Sequence, residues 1–182
     1  HSSIYGSITP ASEELDITFV ADRVRVGFMQ PFMSAFASKV DGYASGQARL
    51  FGTFKYIDLE GDVFADSLAL KIDFTNTEYL CSDSVRLRPG LITVRNAEIR
   101  DSYGHTARLD GDVRHVFFKQ PSFDFRVRDA RDFLCYNVGS KESPDWYGTI
   151  FGNGGAHISG EPGVVNIDVN MATASGSSFT FV

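Results

Sequence analysis

What constrains this chain most is a period of two. In "SLALKIDFT" Leu68, Leu70, Ile72 and Phe74 alternate with Ala69, Lys71, Asp73 and Thr75. "SFDFRVRD" sets Phe123, Phe125 and Val127 against Asp124, Arg126 and Arg128. "VNIDVNM" sets Val165, Ile167, Val169 and Met171 against Asn166, Asp168 and Asn170. Successive side chains of a strand point to opposite faces, so each run has one apolar side and one wet side. "LDITF", "RVRVGF" and "SVRLR" behave alike. Between them stand the turn signals "TPAS", "RPG", "SYGH", "KQPS" and "EPG", mostly roughly eight to fifteen residues apart, too close for βαβ crossovers. The pattern predicts one all-β domain over residues 1–182, mainly antiparallel.

Two interruptions are expected. "FMQPFMSAFASKVDG" spaces Phe28, Phe32 and Phe36 four apart, with Met29, Met33 and Val40 beside them. Pro31 suits the first turn, Lys39 the last and Gly42 the C-terminal cap, so a short amphipathic helix is predicted near residues 28–40, packed on the sheet. A shorter helical turn is expected at "DARDFLCYNV".

One stretch resembles chemistry. "LDGDVRH" gathers Asp110, Asp112 and His115 close to His105, residue types that hold metals or move protons. Strand parity opposes that reading. If Val113, His115 and Phe117 share the apolar face, Asp112 and Arg114 lie on the other, and one strand cannot bring both sets to one ion. Asp110-Gly111 then reads as a bulge or bend. No Ser-His-Asp order, phosphate loop or HExxH pattern occurs. The expectation is a non-enzymatic chain without a metal or other cofactor.

A net charge of −6 and a pI near 5.1 argue against nucleic acid and against docking on anionic lipid surfaces. Cys81 and Cys135 lack metal-site spacing and read as two isolated thiols rather than a disulfide. No run approaches the roughly 18 apolar residues of a membrane-spanning helix. Without a starting methionine or leader pattern, the chain is expected to be a segment of a longer protein.

Aliphatic-x-Gly triplets recur at Leu50-Phe51-Gly52, Leu59-Glu60-Gly61, Leu109-Asp110-Gly111 and Ile158-Ser159-Gly160. Glycine within a strand marks a bend or a close approach, so the sheet is expected to curve. A dozen strands at about 4.8 Å span roughly 55 Å, and so large an apolar face must be covered. Either two sheets close into a dry sandwich, or one folds lengthwise into a trough lined for a greasy ligand. On the residues alone the sandwich is preferred. A carbohydrate-binding or enzymatic sandwich would need ring platforms and paired carboxylates, with Trp146 and Tyr147 the platform candidates.

"SGQARLFGTFKYIDLEGDVFADSLALKI" resembles the aliphatic-x-Gly hairpin units of the TamB family, in the AsmA-like superfamily. In "ITVRNAEIRDSYGHTARLDGDVRHVFFKQPSFDFRV", Asp101, Gly104, Leu109, Gly111 and His115 occupy that family's D-x-x-G…L-x-G-x-[IVL]-x-H positions. In "YGTIFGNGGAHISGEPGVVNIDVNMATASGSSFTF", Tyr147, Gly148, Gly152, Gly154, Ile158, Gly160, Ile167, Val169 and Thr173 follow its later cadence, Met171-Ala172 shifting the small-residue spacing. "MQPFMSAF" resembles the short helix preceding these units.

The resemblance covers nearly the whole chain. It implies a U-folded, taco-like curved sheet with an apolar concave interior, in a periplasmic envelope protein tethered to the inner membrane by a segment absent here. It implies phospholipid transport toward the outer membrane, and outer-membrane biogenesis and protein secretion beside a barrel partner. Adjacent repeats of the same chain would flank the segment. The groove for acyl chains would be lined by Leu68, Leu70, Ile72, Phe74, Val113, Phe117, Phe123, Phe125, Val127, Val165, Ile167 and Val169. The alternative role is a scaffold whose edge strands, "SSFTFV" among them, are augmented by a barrel protein.

Overall fold

A computed structural model describes residues 2–27, 30 and 37–182. Among these, eleven strands form one antiparallel sheet. They are β1 (Ser3–Thr9), β2 (Glu14–Arg25), β3 (Ala37–Thr53), β4 (Tyr56–Ile72), β5 (Thr77–Arg88), β6 (Leu91–Arg100), β7 (Thr106–Val116), β8 (Lys119–Val138), β9 (Trp146–Glu161), β10 (Val164–Thr173) and β11 (Ser178–Phe181). β1 to β10 lie side by side in chain order, and β11 pairs β9 beyond the end of β10. From β2 to β10 each strand pairs the one before it, and most of the connecting turns are short.

The sheet is open and bent. β5 and β8 are three strands apart, roughly 14 Å in a flat sheet. Here the rings of Tyr79 on β5 and Phe133 on β8 stack at 5.1 Å, and the Tyr79 hydroxyl donates to Leu134 O at 2.9 Å. The cause of the bend is local. Register shifts occur between Ala65 and Leu68, Cys81 and Val85, Val94 and Ala97, and twice between Val127 and Phe133. Bulges in successive strands add bend to a ladder that would otherwise only twist.

Ile99, Ala107, Ala130 and Phe133 form the buried cluster inside the bend, with Tyr79, Cys81, Leu109 and Met171 against it. The β6–β7 turn secures it. Asp101 is buried, and its carboxylate accepts the backbone N–H groups of Tyr103 and His105 at 2.9 Å and of Leu134 at 2.7 Å. His105 Nδ1 lies 3.1 Å from its second oxygen.

The single sheet overturns the sandwich: among the described residues its apolar side turns in upon itself instead of meeting a second sheet. In the helix expected near residues 28–40, residues 28, 29 and 31–36 lie outside the described ones. Residues 37–40 open β3, where Val40 pairs Leu70. The turn expected at "DARDFLCYNV" is the end of β8; cross-strand pairing to β9 outweighs the weak helical spacing there. Cys81 and Cys135 are both free thiols.

Candidate functional site: the inner face

Register places the apolar side chains of successive strands in line. Val113 pairs Phe123, which pairs Gly160, which pairs Val165. Phe125 meets Ile158 and then Ile167; Val127 meets Ala156 and then Val169. Toward the other edge, Val113 pairs Ile92 and Ile92 pairs Leu87. Leu68, Leu70 and Ile72 stand opposite Cys81, Tyr79 and Thr77. Directly opposed residues share a face, so one apolar surface runs across β4 to β10. Because Tyr79 and Phe133 of that surface touch each other, it is the inside of the bend.

Ten of the twelve residues expected to line a groove therefore share this face. Phe74 and Phe117 do not. Both lie in turns, at opposite ends of the sheet: Phe74 between β4 and β5, Phe117 between β7 and β8. Phe117 takes φ 51°, which ends the strand parity its spacing implied, and its ring packs edge-on against Tyr56 at 5.1 Å. The phenylalanine spacing predicted strand; the tight turns interrupt it.

Among the described residues the inner face is only partly buried. Among the described residues larger than alanine, Leu134 and Thr77 alone are fully buried. Leu68, Leu70, Phe123, Phe125 and Val127 are half-buried, while Val165, Ile167 and Val169 on the outer wall keep 45–63% of their surface exposed. A compact monomer of this mass exposes about 8,700 Å²; this one exposes 10749 Å². The excess is the mark of an open sheet.

The outer face carries the charge. Arg49 bridges Asp16 on β2 and Glu60 on β4. Arg95 pairs Asp112, Arg128 pairs Asp110, and His157 Nε2 lies 2.9 Å from Asp124. The "LDGDVRH" cluster is split between the faces as parity requires. Asp110 and Asp112 sit outside among arginines, beside a shallow depression of about 420 Å³. His115 is buried inside, stacked on Phe118 at 4.5 Å, its Nδ1 accepting the Phe118 N–H. Asp110 is held below the usual aspartate range by the Asn96 N–H and by Arg128. No group of three or more His, Cys, Asp or Glu could hold a metal ion among the described residues.

Sequence reasoning missed two things. The bulge expected at Asp110-Gly111 is on the neighbouring strand instead, where the Asn96 N–H donates to Asp110. The aromatic cleft formed by Phe74, Tyr136 and Trp146 joins residues far apart in the chain, and no local signal marks it.

The chain matches no family model, no curated protein and no solved structure.

Proposed function

We propose that this chain is a non-enzymatic hydrophobic conduit for phospholipid acyl chains, a segment of a TamB-like envelope protein in the periplasm, tethered to the inner membrane elsewhere in its length. The observation that carries the reading is the continuous, inward-turned apolar face, over which the described residues place no second sheet. Acyl chains would lie across Leu68, Leu70, Phe125, Val127 and Ile167, with headgroups at the rim. Each methylene leaving water contributes about 0.8 kcal/mol. Since the lining offers repeated aliphatic and ring contacts rather than one fitted pocket, a chain slides between equivalent positions. Arginine and aspartate alternate outside and keep that face wet.

The test is lipid retention. Leu70→Asp and Phe125→Glu each place a charge on the inner face; mass spectrometry of organic extracts from the purified variants should show the phospholipid signal lost while far-UV circular dichroism holds. Retention equal to the parent chain in both variants ends the reading.

A scaffold role has its own observation. β10 and β11 both pair β9 and present their other edge outward, a row of backbone groups that a barrel strand or an adjacent repeat can extend. Crosslinks from Ser177 to Val182 to such a partner, without bound lipid, would favour it.

A further inference from the structure

At one end of the bend lies a cleft unlike the lining. The β4–β5 turn reaches across to the end of β8: the Asn137 N–H donates to Thr75 O at 2.9 Å, and Asn76 Nδ2 donates to Asn137 O at 2.8 Å. Beside this crossing is an open depression of about 320 Å³, the small end of ligand-sized sites. Three rings form it. Phe74 stands edge-on to Trp146 at 6.4 Å, and Tyr136 lies nearly parallel to Trp146 at 6.1 Å. Asp73 and Glu142 complete its wall.

Charge decides what fits. On the outer face the carboxylates stand opposite arginines. Asp73 and Glu142 have no basic partner among the described residues. Ring faces carry negative potential, and two carboxylates reinforce it. The set lacks the ligand cluster a metal requires, whereas a bulky, weakly hydrated cation gains from both rings and carboxylates. We propose that this cleft binds a quaternary ammonium group, of the class carried by choline. The source is a lipid headgroup or a free quaternary ammonium ion; only the headgroup source rests on the conduit reading.

Trp146 is the chain's single tryptophan, so its emission reports on the cleft alone. Titration with tetramethylammonium chloride should give a saturable change that equal sodium chloride does not. 3,3-Dimethylbutanol, the neutral isostere of choline, should give none. Phe74→Leu, which keeps apolar bulk but removes a ring, should weaken binding roughly fivefold, and Asp73→Asn with Glu142→Gln by more. An absent response, an equal response to the isostere, or unaltered affinity in the carboxylate variant overturns the proposal.

Monomeric dihexanoylphosphatidylcholine and dihexanoylphosphatidylglycerol separate the sources. A response to the first alone supports the headgroup. A response to tetramethylammonium and to neither lipid supports a free quaternary ammonium ion and overturns the headgroup. Leu70→Asp should leave the tetramethylammonium response intact, so failure of the conduit reading registers separately.

Discussion

The ring of Phe125 lies over Gly111 on the neighbouring strand, so closely that a Cβ on the glycine would stand 2.7 Å from Phe125 Cδ1. At Gly160 a Cβ would stand 2.4 Å from the Val164 carbonyl oxygen and 2.9 Å from Phe123 Cζ, so there a ring and the neighbouring backbone both crowd it. The aliphatic-x-Gly signature thus acquires a cause: at Gly111 the glycine leaves room for a cross-strand ring on the inner face, and at Gly160 for a ring and the carbonyl of the adjacent strand.

Gly111→Ala should therefore destabilise the chain, although alanine for glycine in a strand ordinarily stabilises it by up to about 1 kcal/mol. Displacing the ring costs about 1–3 kcal/mol. The expected net loss of about 1 kcal/mol lowers the melting temperature by roughly 2–4 °C. In a Phe125→Leu background the same substitution should be close to neutral, and a double-mutant cycle by thermal unfolding measures the difference.

Asp101→Ala should be more damaging. It removes the acceptor of three backbone N–H groups, one of them from buried Leu134. Burying a donor without a partner costs about 1–3 kcal/mol. A loss of about 3 kcal/mol in urea unfolding is expected, with faster amide exchange at Leu134 and along the β6–β7 turn. An unaltered urea midpoint would show that the turn does not secure the bend.

Stability should fall in acid. Asp16, Asp41, Asp110 and Asp124 all titrate below the ordinary aspartate value of 3.8. For Asp16 the first cause is Arg49, for Asp124 it is His157, and for Asp41 and Asp110 it is a backbone N–H, from Gly42 and Asn96 respectively. A carboxylate depressed by folding contributes stability above its unfolded value and loses it as pH falls through its folded one. The urea midpoint should hold from pH 7 to 5 and decline below about pH 4. Asp110→Asn should flatten part of that decline. Each pair is exposed and contributes little singly, so a steep loss traceable to one aspartate would contradict this account.

Burial pushes the Cys81 thiol up to about 11. Since the thiolate is the nucleophile, alkylation of the folded chain at pH 8 should be slower than of the urea-unfolded chain by roughly a hundredfold or more. Peptide mass spectrometry after timed iodoacetamide exposure reads the ratio at Cys81.

Strand identity and facing were legible in the sequence because they depend on a side chain's own position: alternation sets which way Leu70, Phe125 and Ile167 point before any partner is known. It separated Asp112 from His115 for the same reason. Turns defeated it at Phe74 and Phe117, where a positive φ or a chain reversal cancels parity. The helix spacing failed at residues 37–40, where pairing with β4 satisfies a backbone that spacing alone does not describe.

By itself the sequence determined that the chain is all-β with one greasy side. The tertiary structure decided whether that side is sealed or open, since the choice depends on bulges in consecutive strands acting together. It also decided which distant residues meet: Tyr79 with Phe133, Asp101 with Leu134, Phe74 with Trp146. Curvature is a sum over many strand pairs, and no short stretch of the chain carries it.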